Sequence, residues 1–291
     1  MTFGKSSDKM KFINIHIPKC AGTTFTSILR ANFKESFLDG RSVLSDRTFK
    51  YSASQVSEIL SQFPNCQCLS DHKLSLRLPW DSQNLKVIAF VRNPVERFLS
   101  HYYYCRKQSE TCFDLEAKQL DLEQYTEEVL FRNPKQDLKN GQCYHLFGRE
   151  GEFDFGFLKR LIEQNLLMLI PLERFKDACI LLEKQYPEYF KDCSFVKMNT
   201  TRRNLRHTDN QKLNQKILSS MEKDKELYQL ARESFNVRFD DSPWISEYPY
   251  LIEQFDYRCS NLIELSNRLT YKLRKRLSQK IFPSSRLSYF E

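Results

Sequence analysis

Phe12-Ile13-Asn14-Ile15-His16-Ile17-Pro18-Lys19-Cys20-Ala21-Gly22-Thr23-Thr24-Phe25 changes character twice. The β-prone run Phe12–Ile17 stops at Pro18, and a turn of small residues follows. Thr23–Asn32 then places Phe25, Ile28 and Leu29 on one helical face. Strand, loop and helix in that order bring backbone N–H groups to a helix N-terminus, where the dipole favours an anion. Gly22 would allow close backbone approach, Thr23 and Thr24 add hydroxyls, and Lys19 adds a full positive charge. The chain has only seven glycines, so one at this turn carries information.

A second stretch complements the first. Leu85–Val91 is the most apolar strand and reads as buried on both faces. It is followed by Arg92-Asn93-Pro94-Val95-Glu96-Arg97-Phe98-Leu99-Ser100, with Pro94 suited to the first turn of a helix that runs through Tyr103. Ligands of open α/β sheets sit beyond the carboxyl ends of strands. There Arg92 can fork a phosphate and Ser100, two turns into the helix, can donate a further hydrogen bond.

Between and beyond these stretches, helices are expected at Gln55–Phe63, Leu122–Phe131, Phe153–Gln164 and Glu173–Tyr186. Strands are expected at Gln67–Ser70, Leu166–Pro171 and Ser194–Val196. Alternation of the two predicts an α/β fold, a P-loop-like parallel sheet flanked by helices with a helical C-terminal extension. Residues 1–11 read as a flexible N-terminus and 12–240 as the main domain. Residues 241–291 read as its extension, with the weak boundary near Asp240–Pro243. Four of the seven glycines, Gly141, Gly148, Gly151 and Gly156, predict an irregular loop.

The first loop is not a Walker A motif, because Lys19 precedes Gly22 instead of following a glycine and preceding Ser or Thr. Arg92, not a carboxylate, follows the strongest strand, so the site reads as cationic and metal-free. A magnesium-dependent phosphotransferase is the competing enzyme reading.

The chain of 291 residues carries a formal charge of +8 and 41% hydrophobic residues, which suits a soluble globular protein. No run of about 18 apolar residues is present, and Met1–Lys11 lacks the apolar core of a signal peptide. Nine scattered cysteines without paired CxxC units read as reduced thiols of a cytoplasmic protein. An exported chain could pair Cys105 with Cys112. Cys66 and Cys68 lack the further ligands of a zinc site.

Leu265, Leu269, Leu273, Leu277 and Ile281 line one face of a C-terminal helix bearing seven basic residues against one acid, Glu291. Such a helix packs on the domain, or meets a membrane surface or polyanion. That tail supports a third reading, a non-catalytic polyanion- or nucleotide-binding module. No nucleic-acid partner is expected, and oligomeric state is not encoded legibly.

The Pro18 loop resembles the 5′-phosphosulfate loop (HIPKxxGT) of sulfotransferases that use 3′-phosphoadenosine 5′-phosphosulfate (PAPS). The Arg92 segment resembles their 3′-phosphate motif (RxPxxRxxS). The combination is most similar to the carbohydrate sulfotransferases of the heparan sulfate 2-O/6-O group. Leu172-Glu173-Arg174-Phe175 and Val196-Lys197-Met198-Asn199-Thr200-Thr201-Arg202-Arg203 also resemble that group. The resemblance covers roughly Phe12–Phe235.

It implies sulfuryl transfer from PAPS to an acceptor hydroxyl, leaving adenosine 3′,5′-bisphosphate (PAP). Lys19 would stabilise charge growing on the leaving oxygen. Cys20, Ala21, Gly22, Thr23 and Thr24 would hold the 5′-phosphosulfate. Arg92, Ser100, Arg203 and, second to it, Arg202 would hold the 3′-phosphate.

An acceptor hydroxyl needs a base titrating near neutrality, for which His is suited. Among His16, His72, His101, His145 and His207, the resemblance selects His72, with Asp71 or a nearby acid orienting it. His101 is second, and His16 reads as structural. Asn140, Gln142 and Tyr144 would line the acceptor cleft. The vertebrate relatives are Golgi proteins with an N-terminal anchor, so an anchorless Golgi-type catalytic domain is the alternative to a cytoplasmic enzyme.

Overall fold

The computed structural model describes residues 9–40, 50–81, 84–107, 114–148, 153–196 and 210–265. Five parallel strands form one sheet: β1 (Lys11–Ile15), β2 (Phe37–Asp39), β3 (Cys68–Asp71), β4 (Leu85–Val91) and β5 (Leu167–Pro171). Their spatial order is β2-β3-β1-β4-β5. Ile15 lies opposite Asp71 on one side and Ala89 on the other, so β3 and β1 end level with one another and β4 runs two residues further. The chain leaves β1 for the β2–β3 side and then crosses to β4. The β1/β4 boundary is therefore the switch point where open sheets form a crevice.

The helices are α1 (Gly22–Phe33), α2 (Ala53–Gln62), α3 (Pro94–Lys107), α4 (Leu115–Gln119), α5 (Leu122–Glu127), α6 (Gly141–Phe147), α7 (Phe155–Glu163), α8 (Phe175–Gln185), α9 (Gln211–Ser219), α10 (Glu222–Asp240) and α11 (Tyr248–Leu265). Local chemistry sets several of their starts. Ser52 and Gln55 exchange side-chain and backbone bonds at the head of α2, as Asp121 and Gln124 do at α5. Asn93 accepts from the Val95 and Glu96 N–H groups, which starts α3 directly after Arg92.

The sheet and its flanking helices share one apolar core, which Trp244 and Phe255 also join. A second cluster lies under α3, where Phe98, Leu99 and Tyr102 meet Tyr125, Leu130 and Ile217. Among the described residues no helix is long and apolar enough to cross a membrane.

The α/β fold expected from alternation is present, with three corrections. Ser194–Val196 is not a strand. The Phe195 ring is inserted between Phe175 and Phe255, so the segment is held as coil between α8 and α11. The short edge strand β2 has too little sequence to show an alternating pattern. Part of the glycine-rich stretch expected to be irregular is helix α6, whose first N–H groups are capped by a remote aspartate. The basic tail predicted to follow Leu265 lies outside the described residues.

Candidate active site

The loop after β1 is wound tightly. Lys19 and Ala21 have φ of 68° and 58°, a left-handed conformation that non-glycine residues rarely adopt. Two arginines hold it there. Arg97 Nε donates to the Pro18 carbonyl at 3.2 Å, and Arg92 Nη1 reaches the Lys19 carbonyl at 3.5 Å. α1 then begins with no side-chain cap and no acid in its first turn. An anion therefore meets no competing carboxylate on that turn.

Arg92, only 13% exposed in its side chain, is paired with Glu96 at 3.2 Å. Arg97 is 3% exposed, and its Nη2 donates to the Asp137 carbonyl at 2.9 Å. A Cβ on Gly141 would fall 2.7 Å from Arg97 Nη1, so a larger residue at the start of α6 would require this guanidinium to shift. Lys19 has no protein oxygen as a partner among the described residues; its ammonium lies over the Tyr104 ring. Burial first, then Arg92 and Arg97, lower its pKa to about 8.

Beneath the loop, Gln142 is fully buried. Its Oε1 accepts from the Arg92 N–H at 2.7 Å and from Cys20 Sγ at 3.5 Å, and its Nε2 donates to the Arg92 carbonyl at 2.8 Å. One amide thus ties the end of β4 to the β1 loop. The Asp224 carboxylate accepts from the Gln142 and Cys143 N–H groups at 3.1 and 2.9 Å and caps α6. In return Asn140 Oδ1 accepts from the Lys223 and Asp224 N–H groups and caps α10. Burial raises the Asp224 pKa, against the pull of Arg97.

The third element is the turn after β3. His72 Nδ1 lies 2.8 Å from the His16 carbonyl, which can only accept; Nδ1 is therefore protonated and Nε2 is the basic nitrogen. The His72 ring packs on His16 with centroids 3.9 Å apart. On its other side, His16 Nε2 is so close to Gly22 that a Cβ there would sit 1.7 Å away. One imidazole thus bridges the α1 N-terminus and His72. Lys50 Nζ secures the turn from outside by donating to the His72, Leu74 and His145 carbonyls at 2.7, 3.1 and 3.0 Å.

A model of the sulfotransferase family matches residues 5–231 of the chain. The chain belongs to the sulfotransferase family. A solved sulfotransferase from Alicyclobacillus acidocaldarius is similar at 14% identity, with a TM-score of 0.35, over 77% of this chain and 96% of that one. No curated protein matches. Membership makes this protein a sulfotransferase, an enzyme, and implies PAPS as the sulfuryl donor.

Several expected residues of the sulfotransferase site converge. Lys19, Gly22, Thr23, Thr24, Arg92 and Ser100 belong to the segments following β1 and β4, and His72 follows β3. Others have different surroundings. Cys20 is buried under the loop with its thiol pKa pushed up to about 11, by burial above all. Gln142, expected in an acceptor cleft, is a strut beneath the loop, and Asn140 is a helix cap; only Tyr144, packed on Phe153, is neither. Asp71 does not orient the His72 ring. Its carboxylate bonds the Lys73 N–H and the Tyr51 hydroxyl, and the His16 carbonyl takes the orienting role. The space at Gly22 is filled by His16. Arg202 and Arg203 lie outside the described residues.

Arg97, Asp224 and Lys50 were not singled out from sequence, and His145 was named only among the five histidines. Arg97 stands inside the quoted motif and was readable there; the other three reach the site only through long-range folding.

His101 donates to Asp114 at 3.0 Å, and burial lowers its pKa. These two and Cys105 form the one His/Cys/acid cluster among the described residues. Cys105 is disulfide-bonded, which corrects the all-thiol expectation and removes its thiolate as a metal ligand. Cys112 lies outside the described residues; the other described cysteines are free.

Proposed function

We propose that this sulfotransferase transfers the sulfuryl group of PAPS to a carbohydrate hydroxyl, with His72 as general base and Lys19 as the cation at the leaving oxygen. One observation carries the reading: an acid-free helix N-terminus flanked by Lys19 and Arg92 is joined through the single His16 ring to a histidine with a fixed tautomer. The donor supplies an activated sulfuryl group and an anionic nucleotide leaving group.

The protein's own groups then have separable tasks. The first N–H groups of α1, with Thr23 and Thr24, would hold the 5′-phosphosulfate end, and Arg92 with Ser100 the 3′-phosphate. Glu96 must yield Arg92, in whole or in part, to that phosphate. Lys19 would stabilise charge that appears chiefly in the transition state. His72 Nε2 would take the acceptor proton, while the His16 carbonyl, hydrogen-bonded to Nδ1–H, supports the imidazolium that forms.

The carbohydrate acceptor rests on the similarity of the motif set to the 2-O/6-O group. Arg202 and Arg203 remain proposed as further 3′-phosphate contacts. The disulfide at Cys105 supports an oxidising compartment over the cytoplasm.

The test is transfer of labelled sulfate from PAPS to a panel of glycans, with His72→Gln beside the wild type. Turnover by the wild type, with a drop of about 10²–10⁴-fold in the variant at unchanged PAP affinity, is the expected result for loss of a general base. Equal turnover in His72→Gln would remove the base assignment. Sulfation of peptides or small phenols in place of glycans would remove the carbohydrate assignment.

A further inference from the structure

Lys19 differs from the two arginines beside it. Arg92 is paired with Glu96, and Arg97 is bonded to the Pro18 and Asp137 carbonyls. The Lys19 ammonium instead lies 3.6 Å from the centroid of the Tyr104 ring. Tyr104 is on α3, seven residues beyond Arg97 and four beyond Ser100, so the three share one helix face. Exposure along that face rises from 3% at Arg97 through 9% at Ser100 to 39% at Tyr104. The helix that grips the loop from below with Arg97 therefore ends, at the rim, in a ring under the lysine.

A ring is an unusual choice of partner for a cation meant to meet phosphate. A carboxylate would neutralise the ammonium and compete with the donor. A ring face attracts the cation through its quadrupole, far more weakly than a charge-assisted hydrogen bond to phosphate does. It also limits the rotamers of a side chain with four flexible bonds, which would otherwise have to be ordered at the moment of reaction.

We propose that Tyr104 is a positioning residue for Lys19, parking its ammonium at the rim of the donor loop and yielding it to the donor's anionic oxygens. The proposal rests on the assignment of Lys19 to the leaving oxygen. The groups around Lys19 agree with it. Arg92 after β4 and Arg97 on α3 disfavour the charged ammonium, as does burial; His101 on α3 lies within the same field, and Cys20 in the loop acts in the opposite sense. The Tyr104 ring face favours the protonated form, and because leucine keeps the apolar cover without the ring face, its introduction is expected to move the Lys19 pKa down.

Tyr104→Leu and Tyr104→Phe in the full chain test this, and the partial exposure of the position keeps the fold out of the comparison. Two readouts are used: donor and acceptor kinetics against pH, and the rate at which N-hydroxysuccinimidyl acetate acetylates Lys19, followed by peptide mapping. The expected result for Tyr104→Leu is a kcat lower by about tenfold, little change in donor KM, and a basic limb of kcat/KM moved to lower pH. Lys19 acetylation at neutral pH should be several-fold faster, and Tyr104→Phe, which keeps the ring face, should restore wild-type behaviour.

Three results would overturn the proposal. One is kinetics and acetylation unchanged in Tyr104→Leu. Another is Tyr104→Phe as impaired as Tyr104→Leu, which would assign the work to the hydroxyl. A rise confined to acceptor KM would make the ring an acceptor platform. A wild type that neither binds PAP nor transfers sulfate would sink the sulfuryl-transfer reading instead, and the acetylation rates would still decide whether the ring holds the lysine.

Discussion

The proposed donor side and the proposed acceptor side of the site are built from different materials. On the donor side, the strained loop Pro18–Ala21 is gripped by Arg97 and Arg92 and propped by Gln142, while Asp224 fixes the helix that carries Gln142. Guanidinium and amide groups dominate there, and they do not titrate near neutrality. On the proposed acceptor side, His72 is oriented by the His16 carbonyl and packs against the His16 imidazole, and Lys50 latches its turn. Binding geometry is thus secured independently of pH, while the groups proposed for proton and charge handling are the titratable ones. Affinity and turnover should therefore be separable by mutation.

The sharpest separation is expected at Lys19. Lys19→Ala should lower kcat by about 10²–10³-fold, the scale on which losing one donor to developing negative charge is felt. PAP affinity should fall much less, because the N–H groups at the start of α1 and Arg92 stay in place. Calorimetry and single-turnover rates on the same variant check both halves, and equal losses in the two would merge donor binding with catalysis.

Lys50→Met probes the latch from the other side. Three carbonyls lose their shared donor, and the expected result is a kcat lower by about tenfold with PAP affinity unchanged, since one misplaced base costs roughly that order or more. A matching loss of PAP affinity would show that the two sides are one mechanical unit.

The smallest effect is on pH dependence. The Lys19 pKa is depressed from 10.5 to about 8 in the folded protein, so the ammonium is present below that value and lost as pH rises through it. The kcat/KM for donor should decline above pH about 8, and kcat should hold to higher pH because bound donor anions favour the ammonium. A basic limb at the ordinary lysine value would contradict this placement of Lys19.

The same contrast explains what could be read from the amino-acid order. Lys19, Gly22 and Arg92 were legible because each lies within a few residues of a strand end, where local pattern and loop chemistry coincide. β4 was legible because every residue but Lys86 is apolar, and β2 was not, because three edge residues carry no period. Gln142 was read as an acceptor contact, since nothing local shows that its amide reaches Arg92 fifty residues away. The Asp224 cap on α6 spans a still longer interval, and so does the Lys50–His145 contact. Helix α6 itself was hidden for this reason: its glycines argue for a loop until a distant carboxylate supplies the cap.

The most direct test of the account is calorimetric titration of PAP, with 5′-AMP and ATP in parallel, into the wild type and Arg92→Ala. The account predicts tight PAP binding that requires the 3′-phosphate, and a loss of about ten- to a hundredfold in Arg92→Ala, the scale of one charge-assisted contact. PAP binding no tighter than that of 5′-AMP, or unchanged by Arg92→Ala, would contradict it.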